Sequence, residues 1–113
     1  MYNALLVFIG GGLGALTRWG ISLALVNATN RIWFATFVAN LVGCTGLFFV
    51  GKFLNSDASQ LFVRVAFFGG LTTFSSFSYE VVTLMKMGRI WEGGCVVALN
   101  VFCGILVGVL VLR

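Results

Sequence analysis

The sequence predicts an all-α membrane protein with four transmembrane helices, the third of which is broken near mid-membrane. First, 60% of the 113 residues are hydrophobic and only 9% are charged, whereas soluble domains carry about 25% charged residues. Second, a transmembrane helix needs about 20 apolar residues, so four helices with short loops use almost the whole chain. Third, glycines and hydroxyl side chains interrupt the third apolar run. We therefore expect residues 1–113 to form a single transmembrane domain.

The first predicted span covers residues 4–26. Residues 1–3 lack the basic region of a signal peptide, and the apolar run is too long for one, so we expect the segment to be retained. Gly10 and Gly14 form a GxxxG pair, which favours close packing against another helix. Arg18 lies deep in the segment. Its side chain either snorkels to the interface or provides a fixed positive charge that guides an anion.

The second predicted span covers residues 32–53 and is interrupted by Asn40 near its middle. An amide at this depth needs a hydrogen-bond partner. Asn40 therefore either joins two helices or donates its NH₂ group into a polar path.

The third predicted span covers residues 61–85 and contains the polar run, residues 69–78. Glycine weakens a helix, and clustered hydroxyl groups compete for backbone partners. Irregular backbone survives in lipid only where protein covers it or where it lines a cavity, so we predict a break here. Phe74 and Phe77 are three residues apart and should share a helix face, although ordinary packing would also explain them. Glu80 is the one clear acidic candidate within the membrane.

The fourth predicted span covers residues 91–112 and carries Asn100. Gly104 and Gly108 form a second GxxxG pair, which again predicts a close helix contact.

The basic residues outside Arg18 divide equally between the two membrane faces. With four spans, three fall on the face of the termini and three on the other: Lys52, Arg64 and Arg113 against Arg31, Lys86 and Arg89. Orientation depends on an imbalance of Lys and Arg, so we predict insertion both ways up and pairing of opposite copies. Because the basic residues do not cluster, we do not expect nucleic acid as a partner.

The polar side chains argue against an enzyme. The chain has no His, Glu80 has no paired carboxylate, and the serines of the polar run lack an obvious base. The three cysteines form no CxxC pair and are expected to act as small hydrophobes, not as zinc or haem ligands.

Two transport functions remain open. A small dual-topology exporter of cations or drugs, driven by protons, is the alternative. Exporters of this kind typically have an essential carboxylate in the first helix. This chain has Arg18 there instead, so only Glu80 keeps the exporter alternative open. A passive anion pore fits better, because Asn40 and the hydroxyl groups donate hydrogen bonds and phenyl rings have positive edges. Carbonyl groups freed at the break could also bind Na⁺, and two copies could converge on such an ion.

The chain resembles the CrcB/Fluc family of fluoride channels. Three motifs carry the resemblance: residues 10–15 with Arg18-Trp19, the Ala39–Gly43 stretch, and the polar run at residues 69–78. Size, number of spans and motif order agree over the whole chain. The resemblance implies an antiparallel, dual-topology homodimer in the bacterial inner membrane, with two pores at its interface that export fluoride passively.

The resemblance also implies roles for individual residues. Phe74 and Phe77 would present ring edges to fluoride, and Asn40 would orient the rings and donate a hydrogen bond. Thr73 and Ser78 would line the same pore, and Arg18 would lie at a vestibule. Asn100 and Glu80 match polar positions of the family, although Val96 and Gly104 interrupt any hydroxyl track along the last helix. The backbone carbonyls of Gly69 and Thr72 would bind a structural Na⁺ at the dimer centre.

Overall fold

The structure, a computed structural model, describes all 113 residues and consists of helices and short connections. Four helical stretches are long and apolar enough to cross a membrane. They are Tyr2–Leu25 (α1), Phe34–Gly51 (α2), Asp57–Lys86 and Ile90–Leu112 (α6). The predicted four-helix fold is confirmed, and the third stretch begins at Asp57, earlier than the sequence indicated.

The third stretch is a composite of four helical pieces. It runs through α3 (Asp57–Gln60), a π-helical segment (Leu61–Phe68), α4 (Gly69–Leu71) and α5 (Phe74–Lys86). The Ser56 side chain begins it by accepting a hydrogen bond from the Ser59 N–H at 3.2 Å. Between α4 and α5 the backbone is extended, with ψ of 153° at Thr72 and 114° at Thr73. We call these two residues the break, and their position confirms the predicted interruption.

Glycines allow the helices to approach closely where the GxxxG pairs predicted it. A Cβ on Gly10 would lie 2.6 Å from the Ala66 Cβ, and one on Gly14 would collide with the Phe67 carbonyl. On α6, a Cβ at Gly108 would lie 2.7 Å from the Phe48 ring. Helix α1 therefore packs on the third stretch, and α6 packs on α2.

Two small cores lie on either side of the break. Phe77, Val81, Leu84 and Val96 form one, between α5 and α6. Ala39, Phe68 and Leu71 form the other, between α2 and the segment before the break. Most other large apolar side chains are exposed on the outside of the bundle, as expected for surfaces that face lipid or a second chain.

Glu92 joins the connections at one end of the bundle. Its carboxylate accepts hydrogen bonds from Arg31 Nη1 at 2.6 Å and Trp33 Nε1 at 2.8 Å, and it forms a second ion pair with Arg89. At the opposite end, Lys52 Nζ donates to the Val111 carbonyl at 2.7 Å. The helix ends are thus tied together at both membrane faces.

Candidate functional site

Asn40 of α2 fills the gap that the break leaves in the backbone hydrogen bonds. Its Oδ1 accepts from the Thr73 N–H at 2.7 Å, and its Nδ2 donates to the Thr73 carbonyl at 3.3 Å. A backbone N–H or carbonyl left unpaired at membrane depth costs several kcal/mol. The amide of Asn40 therefore stabilises the irregular backbone that the polar run produces.

The hydroxyl groups of the polar run restart the helix after the break. The Thr73 side chain caps α5 by accepting from the Ser76 N–H at 3.2 Å, and its hydroxyl donates to Ser76 Oγ at 3.1 Å. Thr72 Oγ1 donates back to the Phe68 carbonyl at 3.0 Å. Threonine at a helix N-terminus supplies the acceptor that the first turn lacks. The hydroxyl groups of Thr72 and Thr73 thus form hydrogen bonds with the backbone and with a neighbouring serine.

Phe74 and Phe77 begin α5 and lie in contact, with ring centroids 5.5 Å apart. Their environments differ sharply: Phe74 is 79% exposed, whereas Phe77 is 8% exposed and belongs to the core between α5 and α6. The predicted shared face is confirmed. Phe77 is fixed by packing, and Phe74 projects from the bundle beside the break.

A cavity of about 340 Å³ lies against the break, and we call it the break cavity. It brings together six residues that the sequence singled out: Asn40, Thr72, Thr73, Phe74, Phe77 and Asn100. Cys44 of α2 also lines it. None of the ten lining residues is charged. The cavity therefore offers amide, hydroxyl and aromatic groups but no carboxylate to attract a cation.

Asn100 is joined to Asn40 across the cavity wall. Asn40 Nδ2 donates to Asn100 Oδ1 at 2.9 Å, and Asn100 Nδ2 donates to the Val96 carbonyl at 3.0 Å. The two amides that interrupt α2 and α6 in sequence therefore meet in space. Asn40 thus joins α2 to the break and to α6, and the donation of its NH₂ group into a polar path stays a prediction.

Arg18 reaches the break from α1. Its Nη1 donates to the Thr72 carbonyl at 3.2 Å, and its own carbonyl accepts from Ser22 Oγ. The guanidinium is part-buried at the break, so the structure does not show the snorkelling alternative. Its positive charge lies beside the polar run, where it would attract an anion.

The carbonyl groups of Gly69 and Thr72 have lost the partners that a continuous helix would supply. The Thr73 N–H, which would bond Gly69 in an α-helix, donates to Asn40 instead. The Thr72 carbonyl accepts from Arg18. Neutral carbonyl oxygens suit a hard monovalent cation; the Gly69 carbonyl fits Na⁺ in this respect, whereas the Thr72 carbonyl would have to release the Arg18 guanidinium first.

Glu80 lies away from the break cavity. Thr36 Oγ1 donates to its Oε1 at 2.5 Å, and its Oε2 is buried without a hydrogen-bond partner. Both residues line a second cavity of about 420 Å³ that also contains Arg31 and Ser22; we call it the loop cavity because it reaches the connection between α1 and α2. Ser78 is half-buried and lines neither cavity.

Sequence reasoning missed three participants. Thr36, the partner of Glu80, gave no signal because a single threonine is common in apolar helices. Cys44 lies one helical turn after Asn40, and that spacing places it on the same face. Glu92 follows Arg89 by three residues, which is the spacing of an ion pair on a helix.

Comparison with known proteins identifies close relatives. Residues 5–112 match the family described as "CrcB-like protein, Camphor Resistance (CrcB)". The "Fluoride-specific ion channel FluC 1" of Yersinia pestis is 43% identical over 108 residues, which covers 89% of this chain and 84% of the relative. The protein of the same name from Carboxydothermus hydrogenoformans is 32% identical over 107 residues, covering 94% and 87%. "Fluoride-specific ion channel FluC" of Cronobacter sakazakii is 43% identical over 103 residues, covering 87% and 81%.

Proposed function

Because this chain belongs to the CrcB family, we propose that it is a fluoride-selective ion channel that exports fluoride passively and so lowers the fluoride concentration in the cytoplasm. It is a multi-pass protein of the bacterial plasma membrane, and it is not an enzyme. The names of the relatives specify a fluoride channel, so the proton-coupled exporter is not favoured.

The observation that carries this proposal is the chemistry of the break cavity. Its ten lining residues include two asparagines, two threonines and three phenylalanines, and none of them is charged. A carboxylate there would attract cations and repel fluoride. Amide N–H groups and the positive edges of phenyl rings attract an anion without doing so. The cavity therefore fits a small anion better than the organic cation that an exporter would carry.

The two cavities share no lining residue and lie in different parts of the bundle. The loop cavity lies toward the connection between α1 and α2 and ends at Glu80 and Thr36. The break cavity lies between α2, the break and α6. Arg18 contributes a positive charge at the break. We propose that fluoride is drawn toward this charge and passes the rings of Phe74 and Phe77.

We propose further that two chains pair in opposite orientations. The equal division of basic residues between the faces supports this arrangement, because neither orientation is favoured. Exposure of Phe74 beside the polar run supports it too, since a second chain would complete the wall on that side. A pore would then run at each of two equivalent positions on the interface.

We propose that a structural Na⁺ holds the paired chains at their centre. Gly69 and Thr72 would provide backbone carbonyls, and Gly69 supports this because its carbonyl has lost its helical partner. When bound, the ion would supply a positive charge that joins the chains and favours an anion nearby. No side-chain carboxylate would be needed.

Fluoride efflux from liposomes tests the function. Purified protein is reconstituted into vesicles loaded with fluoride or with chloride, and efflux is followed with ion-selective electrodes after an ionophore relieves the membrane potential. We expect rapid fluoride efflux and chloride efflux no faster than that of protein-free vesicles. Comparable fluxes of the two ions would refute fluoride selectivity. Export of an organic cation that requires a proton gradient would support the exporter instead.

Topology reporters test the antiparallel pair. A reporter that is active on one membrane side only is fused to the C-terminus, and a second reporter active on the other side is fused in a parallel experiment. Dual topology predicts signal from both. Signal from one reporter alone would refute it.

A further inference from the structure

Two basic side chains, Lys52 and Arg64, are brought together at one end of the bundle. Lys52 directly follows α2, and Arg64 lies in the π-helical segment of the third stretch. A Cβ added at Gly51 would lie 3.3 Å from Arg64 Cδ and 3.4 Å from its Nε. The stem of Arg64 therefore lies across the residue that precedes Lys52, and both basic side chains line one cavity of about 150 Å³.

Neither of these cations has an acidic partner. The two ion pairs of the chain both belong to Glu92, at the opposite end of the bundle. Asp57 lines a neighbouring cavity together with Arg64 but forms no ion pair with it. Two like charges held close together repel each other. The arrangement therefore favours an anion that comes from outside the chain.

Both side chains keep hydrogen-bond donors for such an anion. A lysine ammonium has three N–H donors and an arginine guanidinium has five. Lys52 Nζ donates to the Val111 carbonyl at 2.7 Å, and Arg64 Nη1 donates to Gln60 Oε1 at 3.2 Å. These contacts fix the two charged groups and leave most of their donors free. Ammonium and guanidinium groups with free donors are the side chains that bind phosphate.

The rest of the cavity is apolar, and we call the cavity the basic cleft. Its lining, apart from the two cations, consists of Leu47, Phe48, Gly51 and Leu112. Leu112 is exposed and is the last residue of α6, so the cleft lies where the transmembrane helices end and lipid headgroups begin. Pockets that enclose drug-sized ligands measure about 300–1,000 Å³. This smaller cleft suits a headgroup phosphate whose acyl chains stay outside, among the other lipids.

We propose that the basic cleft binds the phosphate group of an anionic phospholipid. Lys52 and Arg64 hold the phosphate, and the acyl chains lie along the apolar side chains of α2 and α6. Basic pockets between transmembrane helices recognise headgroups by this chemistry. The bound phosphate offsets the repulsion between the two cations and joins α2, the third stretch and α6 at this end. The lipid site goes beyond the proposed fluoride channel and does not depend on it.

Lipid titration of the purified protein tests the site. Protein in non-ionic detergent is titrated with phosphatidylglycerol, which is anionic, or with phosphatidylcholine, which is zwitterionic. The melting temperature is followed, because a ligand that binds the folded state raises it. We expect a saturable rise with phosphatidylglycerol and a smaller rise with phosphatidylcholine. Equal rises with the two lipids would overturn the proposal. A rise of the same size with inorganic phosphate alone would assign the cleft to a soluble anion and overturn the lipid as its occupant.

Arg64→Gln and Lys52→Gln each remove one charge from the cleft. In each variant the phosphatidylglycerol concentration that gives half of the full rise should increase by about fivefold, as expected for one basic residue near an anionic headgroup. Lys86→Gln is the matched control, because Lys86 is exposed at the end of α5, on the other membrane face, and forms no ion pair. Its titration should match that of the unaltered protein. Equal weakening in Lys86→Gln and Arg64→Gln would mean a general attraction to basic residues and would overturn the site.

Crosslinking to the unaltered protein covers the case in which the cleft variants do not fold. Phosphatidylglycerol with a photoactivatable group beside its glycerol backbone is irradiated with the protein in liposomes, and the crosslinked residues are identified by mass spectrometry. We expect crosslinks in the basic cleft that excess phosphatidylglycerol removes and excess phosphatidylcholine does not. Crosslinks that are absent from the cleft would refute the proposal. Fluoride efflux from the same liposomes reports on the channel separately, so failure of either proposal is recognised without the other.

Discussion

Asn40 and Thr73 are joined by two hydrogen bonds that run in opposite directions. The Thr73 N–H donates to Asn40 Oδ1 at 2.7 Å, and Asn40 Nδ2 donates to the Thr73 carbonyl at 3.3 Å. A single side chain on α2 thus satisfies both backbone groups of a residue in the break. This pairing lets irregular backbone persist inside the membrane and places the break beside Asn100.

Asn40→Asp should impair both folding and flux. The carboxylate is isosteric with the amide and can still accept from Thr73, but its second oxygen would face the Thr73 carbonyl and Asn100 Oδ1. Replacing two donated hydrogen bonds by repulsion costs about 2–3 kcal/mol or more. We expect a lower melting temperature and fluoride efflux reduced by about tenfold or more.

Asn27→Asp is the control for that experiment. Asn27 lies exposed after α1, so the same chemical change there should leave the melting temperature and the efflux rate close to those of the unaltered protein. An Asn40→Asp protein that matched this control would mean that the pairing with Thr73 does not matter.

Alanine substitutions of Phe74 and Phe77 should have different effects despite their identical chemistry. Phe77 is 8% exposed within the core between α5 and α6, so Phe77→Ala should lower the free energy of unfolding by about 3 kcal/mol. Phe74 is 79% exposed, so Phe74→Ala should change the free energy of unfolding little. It should reduce fluoride flux, because it removes a ring edge. Thermal unfolding and efflux, measured on the same preparations, compare the two. Equal losses of stability would contradict the assigned environments.

Gly14→Ala should disrupt the packing of α1 on the third stretch. An added Cβ would collide with the Phe67 carbonyl and lie 2.8 Å from the Leu71 backbone nitrogen. Backbone atoms cannot move aside as a flexible side chain can, so we expect destabilisation of at least about 2 kcal/mol. Melting temperature and the yield of folded protein report the effect.

Gly20→Ala provides the comparison on the same helix, because a Cβ added at Gly20 would meet nothing within 4 Å. That variant should be at least as stable as the unaltered protein, since alanine favours a helix over glycine. The packing argument fails if both variants melt at the same temperature.

Glu92→Gln should remove the two ion pairs that join the connections at one end of the bundle, and so lower the melting temperature. Glu92 pairs with Arg31 and Arg89 and accepts from Trp33. Ion pairs at an exposed surface are screened by salt, so the difference in melting temperature between variant and unaltered protein should shrink as salt is raised. A difference that is independent of salt would mean that packing, not charge, holds these connections.

Much of the fold follows from composition and spacing. Four apolar runs of membrane length leave few alternatives to four helices, and GxxxG pairs predicted the contacts of Gly14 and Gly108. The break was predictable because glycines and hydroxyls conflict with an uninterrupted helix in lipid. The contact of Phe74 with Phe77 followed from their three-residue separation.

The amino-acid sequence by itself thus determined the number of spans, the place of the break and the polar side chains available there. Only the tertiary structure decided which groups those side chains engage. Asn40 and Asn100 are sixty residues apart in sequence, and local periodicity carries no information about such a distant pair. Packing of α6 on α2 brings the two amides within hydrogen-bond distance of each other, because glycines on α6 let the helices approach closely.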